Sequence, residues 1–347
     1  LNNPVVQGSN RTVNLIDLGS SQFFTSADCS GGAVTSLTVA TGQSSVSFSV
    51  RDNTAENLTV SATSAGLSSA SQALAVTAGA PNRLMITGLA AILAGDCTAY
   101  DVRSEDTLGN LSPLSANTTV SFSGLSLGKF YSDAACSAQV TSTILASGSS
   151  SKTVYFKNNA AEAITVSGTA AGLTAASKAI TIQTQTAVAF GVTGPASAAA
   201  QVCSTFTVRT QDVFGNAVVQ GANLTVDLLG KGNGQFYSDA GCTTPITQVT
   251  ITGGSSSASF RFSSTVAEAL TFTAQNSGSG LTDGTRAHTV QPLAPTTLSL
   301  TGVSTLASGV CAGFTLSVQD SLGNASPVGS TKSLNLTGAG TGSFYAE

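Results

Sequence analysis

The sequence predicts an all-β protein made of tandem antiparallel β-sandwiches that are joined end to end as a rod. Three observations lead to this prediction. A Phe-Tyr-Ser-Asp-x-x-Cys motif recurs along the chain, and short runs of alternating apolar and polar residues follow one another. Charged residues make up only 9% of the 347 residues, while Ser, Thr, Gly and Ala are abundant. Repetition of one unit is typical of a stalk or a fibre.

The motif sets the length and number of the repeats. Its first aromatic residues are Phe23, Phe130, Phe236 and Phe344, so successive copies are 106 to 108 residues apart. A segment of this length can bury a core of its own. The register predicts a partial module at 1–79, complete modules at 80–185 and 186–293, and a partial module at 294–347. We call these segments repeats 1 to 4.

Repeat 3 shows the predicted strands most clearly. In one of them Phe206 and Val208 would face the core, while Thr205, Thr207 and Arg209 would face solvent. Turns rich in Gly, Ser and Asn separate the strands, as in an antiparallel β-sandwich. The predicted strands cover residues 187–192, 203–211, 224–228, 246–251, 258–262, 270–274 and 287–290.

The segments that join the repeats are short and contain proline. Residues 78–82 read Ala-Gly-Ala-Pro-Asn, and residues 291–295 read Gln-Pro-Leu-Ala-Pro. Because proline restricts the backbone, we expect limited bending between repeats. This expectation is the reason for predicting a rod.

A second recurring pattern carries a family resemblance. Asp-x-x-Gly-Asn turns at 106–110, 212–216 and 320–324 follow an alternating strand, and Thr-Val-Ser-Ala-like strands occur at 58–62 and 270–274. The whole chain resembles tandem bacterial immunoglobulin-like (Ig-like) domains of the invasin and intimin type. The resemblance implies Ig-like sandwiches in a surface-exposed stalk or adhesin, and it implies no catalytic activity.

The cysteines repeat with the same register. Cys97 and Cys136 are 39 positions apart, as are Cys203 and Cys242, which predicts one disulfide in each complete repeat. By the same rule Cys29 and Cys311 would have partners outside this chain. A loop of about 40 residues closed in this way contributes about 4 kcal/mol in the chain-entropy account.

The alternative interpretation of the cysteines is a metal site. The chain has no Cys-x-x-Cys pair, and His288 is its only histidine, so disulfides are favoured. Disulfides in turn indicate an oxidising compartment, either extracellular or at the cell surface. Cys203 is out of phase with Phe206, so the bond should lie near the start of the strand and not in the core.

Three further recurring features have a structural and a functional interpretation. The Asp-x-x-Gly-Asn turns suit turn chemistry, with calcium binding as the less favoured alternative. Glu56, Glu162 and Glu268 should cap a turn or pair with a neighbour. Each aromatic pair should send one ring into the core, and the other ring is open to packing or binding. In repeat 1, Asn2 replaces the turn glycine.

Seven Asn-x-Ser/Thr sequences are present, and whether any is modified stays open. They begin at Asn10, Asn57, Asn110, Asn117, Asn223, Asn324 and Asn335.

Composition and charge argue against two other function classes, nucleic-acid binding and membrane insertion. The net charge of −4 provides no basic surface for nucleic acid, and no apolar run is long enough for a membrane span.

These observations favour a structural function: the repeat region of a long bacterial extracellular fibre or adhesin stalk. The expected partners are neighbouring copies of the module or chain, and no cofactor, metal or catalytic residue is predicted. The alternative is an adhesin module that binds a glycan or a protein on a host or prey surface through strand-end loops. An enzyme is disfavoured, because a single histidine cannot form a repeated nucleophile–base pair.

The two ends of the chain fall inside repeats. Leu1-Asn2-Asn3 aligns with Leu108-Gly109-Asn110, and the last copy of the motif stops at Glu347. We expect the chain to be part of a longer polypeptide. The alternative is that residues 294–347 of one chain complete residues 1–79 of the next.

Overall fold

The computed structural model describes residues 4–17, 19–276 and 278–345. Every regular element within these ranges is a β-strand, which confirms the all-β prediction. The chain forms two compact units, Leu1–Gln183 and Thr184–Glu347. The segment Leu1-Asn2-Asn3 and the final Glu347 lie outside the described residues.

The first unit begins with the strands of repeat 1. They form a four-stranded sheet in the order β3-β1-β5-β6 and a two-stranded sheet of β2 and β4. The small core between them contains Leu15, Phe23 and Leu37. The strands are β1 (Arg11–Ile16), β2 (Gln22–Phe24), β3 (Ser36–Val39), β4 (Ser49–Arg51), β5 (Asn57–Thr63) and β6 (Ala70–Ala75).

Repeat 2 completes the first unit and forms two five-stranded sheets. Their strand orders are β13-β10-β15-β16-β8 and β12-β11-β14-β9-β7. The strands are β7 (Arg83–Gly88), β8 (Ala91–Leu93), β9 (Thr98–Glu105), β10 (Thr118–Ser123), β11 (Lys129–Tyr131), β12 (Gln139–Val140), β13 (Ser142–Leu145), β14 (Ser151–Lys157), β15 (Ala163–Thr169) and β16 (Ala176–Gln183).

Repeat 3 opens the second unit with the same arrangement. Its sheets are β23-β20-β25-β26-β18 and β22-β21-β24-β19-β17, which match repeat 2 strand for strand. The strands are β17 (Ala189–Thr193), β18 (Ser197–Ala199), β19 (Ser204–Gln211), β20 (Leu224–Leu229), β21 (Gln235–Tyr237), β22 (Pro245–Ile246), β23 (Gln248–Ile251), β24 (Ser257–Ser263), β25 (Ala269–Gln275) and β26 (Gly284–Gln291).

In repeat 4 the described strands are β27 (Thr297–Gly302) and β28 (Phe314–Gln319), which pair antiparallel. They correspond in register to β17 and β19 of repeat 3. Three of their apolar side chains, Leu298, Leu300 and Phe314, are exposed.

The core of each complete sandwich comes from alternate residues on the facing sheets. In β19 the side chains of Phe206 and Val208 are fully buried, while Thr205 is exposed. The predicted alternation is therefore confirmed. Because successive strand residues point to opposite faces, this pattern places one apolar layer between two sheets.

One short strand differs from the sequence expectation. Residues 191–200, rich in Gly, Pro, Ala and Ser, do not read as a strand, yet β18 lies within them and pairs with β26 in parallel. The strand β8 pairs with β16 in the same way in repeat 2. Among the described strands, each complete sandwich thus has one parallel strand pair, which backbone hydrogen bonds hold together.

The predicted single strand at 246–251 is instead two strands in different sheets. Ile246 in β22 pairs with Phe236, whereas Ile251 in β23 pairs with Leu224 on the opposite sheet. Between them the carbonyl of Thr247 accepts a hydrogen bond from the Leu228 amide at 2.8 Å. The chain therefore crosses from one sheet to the other at Thr247, a change that alternation alone does not reveal.

Two glycines of repeat 2 have similar positive φ angles, but only one of them also lies too close to a neighbouring atom to accept a side chain. Gly124 and Gly172 have φ angles of 72° and 77°. A Cβ at Gly124 would overlap the carbonyl oxygen of Thr165, whereas a Cβ at Gly172 would meet nothing within 4 Å. We expect Gly172→Ala to lower the free energy of unfolding by about 1 kcal/mol and Gly124→Ala by about 3 kcal/mol.

Urea unfolding followed by tyrosine fluorescence measures this difference. Three of the five tyrosines, Tyr100, Tyr131 and Tyr155, lie in repeat 2, so the signal reports mainly on that repeat. Equal losses for the two substitutions would show that the loop after β10 can move away from Thr165.

Candidate functional site

Two disulfides occupy the same position in repeats 2 and 3. Cys97–Cys136 and Cys203–Cys242 each span 39 residues, with Cα atoms 5.9 Å apart. In each repeat the first cysteine immediately precedes a strand, β9 or β19, and the second lies in the turn after β11 or β21. All four cysteines are half-exposed, so the bonds join a turn to a strand start outside the core.

The remaining cysteines have no disulfide partner among the described residues. Cys29 is half-exposed and Cys311 is exposed. The backbone of Cys29 has a φ angle of 54°, close to the 50° of Cys136 and the 51° of Cys242. Partners for Cys29 and Cys311 outside this chain stay a prediction.

The aspartate of the motif organises the turn that presents the second cysteine. In repeat 3 the carboxylate of Asp239 accepts hydrogen bonds from the backbone N–H groups of Gly241, Thr243 and Thr244, at 2.6 to 3.1 Å. The hydroxyl of Thr243 donates to the same carboxylate at 2.9 Å. These bonds hold Cys242 in the left-handed backbone region that non-glycine residues rarely adopt.

These hydrogen bonds change the acidity of Asp239. The Thr244 N–H, with support from Thr243 and Gly241, lowers the pKa of Asp239 from its ordinary value of 3.8 to about 2, against the opposing effect of desolvation. In repeat 2 the N–H groups of Ala138 and Ser137 lower the pKa of Asp133 in the same direction. The sequence shows this aspartate as part of the motif, but its role becomes visible only from these bonds.

The aromatic pair behaves as predicted in the two complete repeats. Phe130 and Phe236 are buried in the core, and the following Tyr131 and Tyr237 are half-buried. Repeat 1 differs, because both Phe23 and Phe24 are buried. The guanidinium of Arg51 lies 4.9 Å from the centroid of the Phe24 ring and covers it.

The recurring glutamate caps the loop that precedes the aromatic strand, which confirms the capping interpretation. A carboxylate oxygen of Glu56 accepts the Ser20 N–H at 2.8 Å, and one of Glu268 accepts the Asn233 N–H at 2.8 Å. In repeat 2, Glu162 accepts the hydroxyl of Ser126 at 2.8 Å. One glutamate per repeat therefore ties the loop before β2, β11 or β21 to the start of β5, β15 or β25.

Repeat 1 carries a second carboxylate where repeat 2 has an amide. In repeat 2 the amide Nδ2 of Asn158, which is 1% exposed, donates to Glu162 at 2.8 Å. In repeat 1 the corresponding residue is Asp52, and the Ser20 hydroxyl lies 2.9 Å from Asp52 Oδ1 and 3.0 Å from Glu56 Oε1. One hydroxyl proton cannot serve both carboxylates, and Asp52 Oδ2 is buried without a hydrogen-bond partner.

The Asp-x-x-Gly-Asn turns are held by their aspartate, as turn chemistry predicts. In the turn at 106–110, Asp106 Oδ1 accepts the N–H groups of Leu108 and Asn110, both at 2.9 Å. Its Oδ2 accepts the Asn110 side-chain amide at 3.0 Å and the N–H of Gly79 at 2.9 Å. The hydrogen bond from the Asn110 side chain is the main reason that the pKa of Asp106 falls to about 2.

The other two turns repeat this arrangement. Asp320 is 1% exposed and binds the N–H of Leu293 from the preceding joint at 2.8 Å, as Asp212 binds the N–H of Gln185 at 3.1 Å. Burial opposes ionisation of Asp320, but bonds led by the Asn324 side chain still lower its pKa to about 2. The oxygens proposed as calcium ligands thus accept hydrogen bonds from N–H groups.

Among the described residues, no three His, Cys, Asp or Glu side chains converge in a group that could hold a metal ion. Over the same ranges, no helix with the length and apolarity of a membrane span is present.

Comparison with known proteins gives structural likenesses only. No protein-family model and no curated protein sequence matches the chain. FdeC, described as an Escherichia coli adhesin, is 14% identical with a TM-score of 0.30, and the match covers 82% of this chain and 88% of that one. The D00–D0 domains of intimin are 11% identical with a TM-score of 0.30, covering 60% of this chain and 98% of that one.

A further likeness is to part of an enzyme. A β-glycosidase from Bacteroides vulgatus is 10% identical with a TM-score of 0.28, over 60% of this chain. The match covers 25% of the enzyme, so the chain spans about a quarter of its length. The fold assignment rests on the strand pairings of the chain itself.

The contrast between Asp52 and Asn158 gives a reciprocal prediction. Asp52→Asn should stabilise repeat 1, because the new amide can donate to Glu56 as Asn158 does to Glu162. Asn158→Asp should destabilise repeat 2 by about 1–3 kcal/mol, because it removes that donor from a buried site. Hydrogen exchange of peptides from each repeat in the full chain measures both effects. Changes of the same sign in the two variants would contradict the argument.

The acidity of Asp239 gives a prediction on pH. Its folded pKa of about 2 lies below the ordinary 3.8, so its carboxylate stabilises the turn fully above pH 3.8. That contribution should be lost as the pH falls through about 2. The Thr244 amide signal in NMR spectra should titrate with a midpoint near 2, and Asp239→Asn should abolish this step. A midpoint near 3.8 would mean that the bonds to Asp239 do not form.

Proposed function

We propose that the chain is a structural repeat region of a bacterial extracellular fibre or adhesin stalk, with one disulfide stiffening each complete repeat. In this proposal the repeats at 1–79, 80–185, 186–293 and 294–347 are successive Ig-like modules of an extended rod. The observation that carries it is the identical placement of the two disulfides, Cys97–Cys136 and Cys203–Cys242. Two such bonds also support a secreted or cell-surface location.

The role of the disulfides in this proposal is mechanical. Each bond encloses the strands from β9 to β11, or from β19 to β21, in a closed loop. A force applied to the chain ends cannot extend residues inside a closed loop. The disulfides therefore limit how far a repeat lengthens if its sandwich opens under load.

The recurring side chains support a structural role over catalysis. Asp106, Asp239 and Glu268 each hold a loop by accepting backbone N–H groups. His288, the single histidine, is buried among Phe206, Phe262 and Phe272. We therefore propose that the chain is not an enzyme and requires no cofactor.

A groove in repeat 3 favours a second candidate, a binding module. It has a volume of about 560 Å³ and is lined by Asp227, Leu228, Lys231 and Gln275, among others. Repeat 2 has Phe122 at the position of Leu228, and that ring stacks on Phe130 at 4.2 Å. The groove adjoins the Lys231-Gly232-Asn233 loop, where repeat 2 has Leu125-Ser126-Leu127, so glycan or protein ligands of an adhesin would contact a polar loop there. Glycan-array binding that Leu228→Phe abolishes would favour this candidate.

Stretching single molecules tests the stalk proposal. Replacing Cys97 and Cys136 by Ser should release the 39-residue loop of repeat 2. The extension on unfolding that repeat should then increase by about 130 Å, at roughly 3.4 Å per residue. Repeat 3 keeps Cys203–Cys242 and serves as the internal control, since its extension should not change.

Two results would contradict the proposal. One is an unchanged extension for the variant of repeat 2, which would mean that the disulfide does not restrain the chain under load. The other is a compact globule, in place of a thin rod, in electron micrographs of the protein.

A further inference from the structure

The asparagine of the Asp-x-x-Gly-Asn turn makes contacts beyond its own turn. In the first unit the side-chain amide of Asn110, in repeat 2, reaches the loop before β5 in repeat 1. Its Nδ2 donates to the carbonyl oxygen of Asn53 at 2.9 Å, and its Oδ1 accepts the N–H of Ala55 at 2.9 Å. One side chain thus forms a two-point hydrogen-bonded contact with the backbone of the preceding repeat.

The same contact occurs independently in the second unit. Asn324 of repeat 4 donates through Nδ2 to the carbonyl oxygen of Thr265 at 2.9 Å, and its Oδ1 accepts the N–H of Ala267 at 2.8 Å. Thr265 and Ala267 precede β25, which corresponds to β5 of repeat 1. Two joints with different neighbouring sequences therefore use the same atoms in the same way.

The segment that joins the repeats is held by the same turn. In the first unit the N–H of Gly79 donates to Asp106 at 2.9 Å, and its carbonyl accepts the hydroxyl of Ser112 at 2.6 Å. In the second unit Leu293 has corresponding bonds to Asp320 at 2.8 Å and to Ser326 at 2.7 Å. Both serine residues are buried.

The chemistry of the contact explains why the residue is asparagine. A primary amide offers a donor and an acceptor side by side, which matches one backbone C=O and one backbone N–H. Aspartate lacks the donor and would place a second carboxylate against Asp106, while serine is too short to reach both groups. The Nδ2 group also donates to Asp106 in its own turn, at 3.0 Å, so both of its hydrogens are used.

The contact also reinterprets two of the Asn-x-Ser sequences. Asn110-Leu111-Ser112 and Asn324-Ala325-Ser326 have the form of glycan acceptors. In both, the asparagine binds the preceding repeat and the serine binds the joining segment. These two sequences are parts of a joint, and their amides are engaged within it.

We propose that the Asp-x-x-Gly-Asn-x-Ser turn is a docking site for the preceding copy of the repeat, and that Asn110 and Asn324 are the positioning residues that set the orientation of adjacent repeats. This inference deepens the proposed stalk function, because coupled joints transmit bending stiffness along an array. It rests on contacts that are separate from the disulfides. The partner that fits the site is the backbone of the loop before β5 or β25 of the preceding repeat.

Hydrogen exchange and relative orientation in the full chain test this proposal. In Asn110→Ala, the N–H of Ala55 should exchange about 5- to 10-fold faster, as expected for the loss of one hydrogen bond. Residual dipolar couplings should show that repeats 1 and 2 no longer share one alignment. Asn324→Ala should have the same effects on Ala267 and on the alignment of repeats 3 and 4.

Asn117→Ala is the matched control. Its Oδ1 accepts the N–H of Ser147 at 2.9 Å, entirely within repeat 2. This variant loses the same kind of bond but should leave Ala55 exchange and the alignment of the repeats unchanged. If Asn110→Ala and Asn117→Ala change the alignment equally, the inference is overturned.

A second variant acts from the opposite side of the joint. Ala55→Pro removes the N–H donor and leaves the turn of Asp106 and Asn110 unaltered. The alignment of repeats 1 and 2 should be lost, while the N–H of Leu108, bonded to Asp106, keeps its slow exchange. Wild-type alignment in this variant would contradict the proposal. Failure of the stretching experiment alone would overturn the disulfide role and leave the joint contact standing.

Discussion

A carboxylate with all of its hydrogen-bonding capacity in use is the interaction on which the rest of this structure depends. Asp106 and Asp320 each accept two N–H groups of their own turn, one asparagine amide and one N–H of the joining segment. Both side chains are buried, and an uncompensated buried charge would strongly destabilise the fold. The turn, the joint and the asparagine contact to the preceding repeat are therefore all organised around one aspartate carboxylate.

The same principle acts at the other recurring turn. Asp239 gathers three N–H groups and thereby holds Cys242 in the left-handed conformation that the disulfide uses. Repeat 1 has Ser26 where repeats 2 and 3 have this aspartate, and Asp28 lies two positions later, bonded to the N–H of Ser30. The αL conformation of Cys29 is nevertheless retained, so the turn tolerates a different polar residue provided that one accepts its N–H groups.

The low charge of the chain gives these few carboxylates unusual weight. With only 17 acidic and 13 basic residues in 347, loops are tied by single acids that recur at one position per repeat. Glu56, Glu162 and Glu268 are examples. In repeat 1 a second acid, Asp52, replaces the amide donor beside Glu56, and its Oδ2 is left buried without a hydrogen-bond partner. This unpartnered oxygen of Asp52 distinguishes repeat 1 from repeat 2, where the amide of Asn158 donates to Glu162.

Much of the fold and part of the site follow from the sequence alone. The repeat length, the alternation of Phe206 and Val208 and the 39-residue spacing of the cysteines are properties of order along the chain, which a linear pattern records fully. The parallel strand at 197–199, the change of sheet at Thr247 and the contact of Asn110 with Ala55 are different. They depend on backbone groups that carry no side-chain signature, brought together from distant parts of the chain. Only the tertiary structure decides which N–H donates to which carbonyl. These hydrogen bonds make the recurring asparagine part of the contact between adjacent repeats.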